Sequence, residues 1–142
     1  MLFVKTKNSS LNTHYIQIRV RYQETDRMGI VYHANYLSYF ELGRVEWLRF
    51  KGLDYARLED SGVLLPVVNV NVNYKAPARY DQLLSVQTEL VKIGGASLLF
   101  QNKIYDENKQ LLVEGEVTLV AADSSSFKPI KIPASLLSLI QK

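Results

Sequence analysis

Asn35-Tyr-Leu-Ser-Tyr-Phe-Glu-Leu-Gly-Arg-Val-Glu-Trp-Leu-Arg-Phe50 is the stretch on which the fold turns. Tyr36, Phe40, Gly43 and Trp47 recur at intervals of four, three and four residues, and Leu37 and Leu48 widen the stripe. That period predicts an amphipathic helix of about four turns, roughly 24 Å long. Gly43 lies in the middle of the stripe, where glycine costs a helix about 1 kcal/mol relative to alanine. A glycine there predicts that the helix backbone passes close to another layer, most simply a sheet wrapped around it.

The flanks supply that sheet. Before the helix, His14 to Tyr22 alternates, with Ile16, Ile18, Val20 and Tyr22 on one face and Gln17, Arg19 and Arg21 on the other, the pattern of a half-buried strand. After it, Gly52-Leu53-Asp54 breaks the helix, and Asp54 is suited to cap a short second helix ending near Gly62. Four strands follow. Val68, Val70, Val72 and Tyr74 alternate with Asn69, Asn71, Asn73 and Lys75. Leu84, Val86, Thr88 and Leu90 come next, then Leu98, Phe100, Asn102 and Ile104. Gly94-Gly95-Ala96-Ser97 reads as a turn or bulge and Asp106-Glu107-Asn108-Lys109 as a hairpin turn. Val113 to Ala121 forms the last strand, and Leu136 to Ile140 a short terminal helix. Short connections make successive strands antiparallel. The expected fold is α+β, an antiparallel sheet of about five strands around one long helix, over residues 1–142 as a single domain with a loose terminus at 1–12. The three asparagines are expected on a central strand, facing either a polar interface or ligand, or solvent.

Composition narrows the function. The chain of 142 residues is 47% hydrophobic and 22% charged, as in an ordinary globular domain. With no cysteine there is no disulfide, zinc–thiolate site, iron–sulfur cluster or cysteine nucleophile. The net charge of +3 is dispersed, with no run of five like charges, so nucleic acid is not an expected partner. No apolar run approaches the ~18 residues of a membrane span, and Met1 to Lys5 is too short for the core of a signal peptide, so the expected location is cytoplasmic. Asn8-Ser9-Ser10 has the form of a glycosylation acceptor, a triplet common by chance. GxxxxGK[ST], GxGxxG after a strand and GxSxG are all missing. His14 and His33 are too far apart to suggest a metal site, and no metal or cofactor is expected.

What remains is Tyr22-Gln-Glu-Thr-Asp26-Arg-Met-Gly29-Ile-Val-Tyr32-His33-Ala-Asn35-Tyr36, which runs from a strand end into a helix N-terminus. Four of the nine tyrosines fall between Tyr22 and Tyr39 and would wall a pocket. The N–H groups of a helix start lack intrahelical partners and stabilise negative charge. A carboxylate at Asp26 beside them is a minimal kit for acyl transfer. The rival reading is a loop aspartate bonded to its own backbone.

The segment from Tyr22 to Arg44 resembles the signature of the hotdog-fold thioesterases of the 4-hydroxybenzoyl-CoA type, and most of all the acyl-CoA thioesterases associated with the Tol–Pal system. Asp26, Gly29, Ile30, Val31, Tyr32, His33, Ala34, Asn35, Tyr36, Tyr39, Phe40, Glu41 and Arg44 carry the match. Lys128-Pro129-Ile130-Lys131-Ile132-Pro133 and the order of elements agree with it. The resemblance implies hydrolysis of an acyl thioester, from acyl-CoA or acyl carrier protein, by a homodimer or homotetramer with interfacial sites. It implies Asp26 as nucleophile or general base and a backbone N–H at or near His33 as oxyanion donor. Tyr22, Gly29, Val31, Tyr32, Asn35 and Arg79 are the expected substrate contacts. Other hotdog thioesterases carry their carboxylate on the helix, which makes Glu41 the reserve, although Arg44 three residues on favours an ion pair. Relatives with basic residues near the third sheet strand meet the CoA phosphates there; this chain has Gly94-Gly95-Ala96, which leaves room for an acidic carrier protein. Arg79, Lys75 and Lys92 suit either donor. Two other readings are a hotdog hydratase or dehydratase, for which His33 with Glu41 is a poor imitation of the required pair, and a non-catalytic acyl-thioester binding protein.

Overall fold

Tyr36, Tyr39, Phe40, Gly43, Arg44, Trp47 and Leu48 are the buried positions of helix α1, Asn35–Phe50. They follow the i, i+3, i+4 spacing of one helical face. Leu37, expected on that face, is instead 39% exposed, because it lies one step around the helix from Tyr36 on the side away from the sheet. Tyr39 and Arg44 complete the stripe.

The computed structural model describes residues 12–142. The loose terminus expected over 1–12, and the Asn8 triplet within it, fall outside them except for Asn12. Asn12 is anchored, its carbonyl accepting from Trp47 Nε1 at 2.8 Å. The order is β1 (Thr13–Arg19), a single 3-10 turn (Tyr22–Glu24), α1, α2 (Tyr55–Asp60), β2 (Val63–Leu64), β3 (Val67–Tyr74), β4 (Leu83–Ile93), β5 (Ser97–Tyr105), β6 (Leu111–Val120), β7 (Ala122–Asp123) and α3 (Ala134–Ile140). Five strands form one antiparallel sheet in the order β1-β4-β5-β6-β3. The helix packs across β1 and β4 and reaches β5. This is the α+β hotdog arrangement that the sequence leads one to expect. Asp54 caps α2 as expected, accepting from Ala56 N at 2.9 Å.

Gly43 makes the close approach possible. A methyl group there would collide with the Thr88 hydroxyl and sit 3.2 Å from Val86 Cγ1. Beneath it, Asn102 Nδ2 donates to Thr88 Oγ1 at 2.8 Å, a buried polar pair in an otherwise apolar layer. Trp47 meets Phe100 edge-on at 5.1 Å.

Three features differ from expectation. The first strand ends at Arg19 rather than Tyr22, because a capping box between Arg21 and Glu24 closes a tight turn. That turn swings Tyr22 outward to 78% exposure. The strand with the alternating asparagines, β3, is an edge strand, paired only with β6. Val67, Val68 and Val70 are exposed, Val68 at 57%, while Val72 packs against the core. β2 and β7 form a two-residue ladder that the sequence did not announce. Among the described residues, no helix is long and apolar enough to cross a membrane.

Candidate active site

The loop between the 3-10 turn and α1 is tightly closed on itself. Asp26 N–H donates to the Ile30 carbonyl and Gly29 N–H to the Asp26 carbonyl, both at 2.9 Å. Gly29 has φ +80°, a left-handed conformation that glycine adopts without penalty. Thr25 bridges Val31, and Ile30 bridges Arg79. Val31 N–H donates to the Ala78 carbonyl at 2.8 Å, fastening the loop to the segment before β4. Val31 is therefore buried in the core, beneath the site rather than on its wall.

Asp26 is half-buried, and its Oδ1 accepts from Met28 N at 2.8 Å. The side chain thus bonds its own loop, as the rival reading has it, but through one oxygen only. That anchor fixes the rotamer and leaves Oδ2 without a hydrogen-bond partner among the described residues. Asp26 lines a cavity of about 850 Å³ with Tyr22, Gln23, Thr25, Arg27, Gly29, Tyr32, Asn35 and Tyr80. Tyr22 and Tyr80 meet edge-on at 5.8 Å at its rim.

Helix α1 starts bare. Its N-cap, Ala34, has no side chain able to accept a hydrogen bond. Asn35 N–H turns back to the Tyr32 carbonyl and Leu37 N–H to Ala34, but the N–H groups of His33 and Ala34 have no partner among the described residues. Free N–H groups at the positive end of a helix dipole are an anion site. The His33 carbonyl is held from the other side by the Tyr74 hydroxyl at 3.1 Å, and the His33 ring lies against Tyr32 and Tyr74.

The residue that organises this corner, Glu24, went unnoticed in the sequence. Its carboxylate accepts from Arg21 N at 2.8 Å, from the Arg21 guanidinium and from the Tyr39 hydroxyl at 2.9 Å. Its carbonyl accepts from Tyr32 N and Asn35 Nδ2 at 2.9 and 2.8 Å. Burial opposes the charge on Glu24, but the N–H and guanidinium of Arg21 and the Tyr39 hydroxyl outweigh it and hold its pKa below the ordinary value. Burial and the Glu24 carboxylate push the Tyr39 hydroxyl well above its usual pKa. Asn35 thereby lines the cavity and also locks the helix start to the loop.

Tyr22, Asp26, Gly29, Tyr32 and Asn35 are thus brought together, as expected. The His33 ring and Arg79 are not on the cavity wall, although Arg79 adjoins it through Ile30. Glu41 is exposed and lines two further cavities along the helix instead. It forms no ion pair with Arg44 within 4.0 Å among the described residues. The ion pairs that do form join Arg21 to Glu24, Arg49 to Glu46 and Lys75 to Glu114. The loop thus offers a fixed carboxylate with one free oxygen, and the start of α1 offers N–H groups without partners among the described residues, the two kinds of group that acyl transfer requires. No cluster of three or more histidines or carboxylates suited to a metal is found among the described residues.

Comparison with known proteins adds the following. Residues 20–140 match the family model described as the thioesterase-like superfamily. YneP of Bacillus subtilis (strain 168) is 40% identical over 115 residues, covering 81% of this chain and 83% of that protein. The acyl-CoA thioester hydrolase YbgC of Escherichia coli O6:H1 is 38% identical over 121 residues, 85% of this chain and 90% of that protein. Among solved structures, the DHNA-CoA thioesterase of Staphylococcus aureus superposes with a TM-score of 0.85 at 31% identity, over 91% of each chain.

Proposed function

The chain belongs to the thioesterase-like superfamily, and from that premise we propose that it hydrolyses acyl-CoA thioesters to a free carboxylic acid and a thiol. The observation that carries the reading is the anchored Asp26 carboxylate in the same corner as the uncapped start of α1.

In this reading the thioester carbonyl oxygen lies at the free N–H groups of His33 and Ala34. One well-placed donor of this kind contributes about 3–4 kcal/mol to the transition state. Asp26 either attacks the carbonyl carbon through Oδ2 or takes a proton from the water that does. In both cases the C–S bond breaks and the sulfur leaves as a thiolate. A thiol with a pKa of about 8.5 needs little help from an acid to depart, so a full triad is unnecessary. In the nucleophilic route, water then cleaves the acyl–Asp26 anhydride. Tyr22, Tyr32, Asn35 and Tyr80 wall the acyl pocket, and the exposed Arg27 and Arg79 face anionic parts of the carrier. Gly94-Gly95-Ala96 offers the nucleotide no cation, so an acyl carrier protein remains the alternative donor.

The working unit in this reading is a homodimer, formed through β3. The strand exposes Val68, Val70 and Tyr74 and one row of unpaired backbone groups.

Thiol release from short, long and aromatic acyl-CoAs tests the reading. Asp26→Asn is expected to lower kcat by a factor on the order of 10³, while the variant stays folded. Release from no CoA ester but from acyl carrier protein would reassign the donor. Loss of turnover in Glu41→Gln and not in Asp26→Asn would transfer the carboxylate's role to the helix.

A further inference from the structure

The peptide that joins His33 to Ala34 leads into α1, and the helix does nothing to hold it. Its carbonyl precedes the N-cap and takes no intrahelical bond, and its N–H, that of Ala34, has no partner among the described residues. One donor reaches it there: the Tyr74 hydroxyl, 3.1 Å from the His33 carbonyl oxygen.

Tyr74 is a fixed donor. It is the last residue of β3 and lies on the same face of the strand as Val72, the face turned to the core. The next two residues, Lys75 and Ala76, both donate their N–H groups to the Leu112 carbonyl, at 2.7 and 3.0 Å, which pins the strand end. The Tyr74 ring leans on Tyr36 at 5.7 Å and meets the His33 ring edge-on at 6.4 Å. Tyr36 is itself buried, and its hydroxyl accepts from Ala78 N at 3.1 Å.

The bond acts on both ends of one rigid unit. A trans peptide is planar, and its C=O and N–H point in opposite directions. Holding the His33 oxygen therefore sets the direction of the Ala34 N–H. It also draws electron density toward that oxygen and makes the N–H a stronger donor, an effect of about 10–30% per bond. Glu24 clamps the flanking Tyr32 and Asn35 from the loop. Between those clamps the peptide can still rock, and Tyr74, reaching in from the sheet, decides its tilt.

We propose that Tyr74 is a positioning residue for the thioester carbonyl: it aims the Ala34 N–H at the developing oxyanion without touching the substrate. The inference rests on the acyl-thioester reading above, and its test separates the two. Tyr74→Phe removes the hydroxyl and keeps the ring. Thiol release from decanoyl-CoA is expected to show kcat about tenfold lower, with KM within about twofold and Tm and sedimentation unchanged. Infrared spectra of decanoyl-CoA labelled with carbon-13 at the carbonyl, bound to Asp26→Asn, read the donor directly. The carbonyl stretch should lie below its value in solution and move back toward that value when Tyr74→Phe is added. With 3-fluorotyrosine at position 74, at a pH where the phenol stays protonated, the more acidic hydroxyl should move it the other way. An unchanged kcat, a loss confined to KM or Tm, or a lower kcat with an unmoved stretch overturns the proposal. Release that is indifferent to Tyr74 overturns only the positioning role, and a stretch that depends on Tyr74 without release overturns only the hydrolase.

Discussion

At the scale of single residues, Glu24 holds the candidate site in shape. Its side chain joins Arg21 to Tyr39, and its carbonyl holds Tyr32 and Asn35, so one residue ties the loop to both the turn before it and the helix after it. The ionised form is the one these donors favour, and the folded-state pKa is lowered. The stability it contributes is therefore complete above the ordinary glutamate pKa of about 4.3 and is lost as pH falls through the lowered value. Urea titrations across pH 3 to 7 should show a shallower acid-side decline for Glu24→Gln than for the wild type, with the variant less stable at neutral pH by about 1–2 kcal/mol. The sequence made Asp26, Gly29, Tyr32 and Asn35 legible because they sit in one unbroken segment at a helix entry. Glu24 was not legible, since its partner Tyr39 comes within reach only once the turn at Tyr22 and the helix are both formed.

At the scale of elements, α1 against the sheet is set by one missing methyl group. Gly43→Ala would gain about 1 kcal/mol of helix propensity. It would also force a methyl into the Thr88 hydroxyl and against Val86, in a layer where Thr88 is already committed to Asn102. Overpacking of this kind costs about 1–3 kcal/mol, so thermal unfolding should show a net loss and a lower Tm. Periodicity read the helix well because seven buried positions repeat on one face. It misjudged Leu37, since a single residue at the edge of a stripe has no period of its own. The β2–β7 ladder is two residues long, too short for any period to register.

At the scale of the whole molecule, the sheet is unfinished on one side. The helix packs over β1, β4 and β5, which leaves Val67, Val68 and Val70 of β3 exposed and the strand's outer edge unpaired among the described residues. A long apolar edge strand invites a partner strand. Val70→Lys, which sets like charges across the proposed interface, should convert a dimer into a monomer by sedimentation velocity; a wild-type chain that sediments as a monomer would remove that interface from the proposal. Alternation alone placed β3 in the middle of the sheet, because a strand covered by another copy and a strand covered by its own chain carry the same pattern. Strand order is decided by long connections whose course short-range patterning does not encode.

The bare first turn of α1 keeps robustness and the proposed chemistry apart at one position. A serine in place of Ala34 would be the obvious repair, since a capping side chain there is worth about 1 kcal/mol. Its hydroxyl would accept from the N–H of Tyr36 or Leu37 and leave the N–H groups of His33 and Ala34 open to a reacting oxygen. Laboratory evolution of this chain for heat resistance would thus find a repair next to the candidate site that does not occupy the donors the proposal needs.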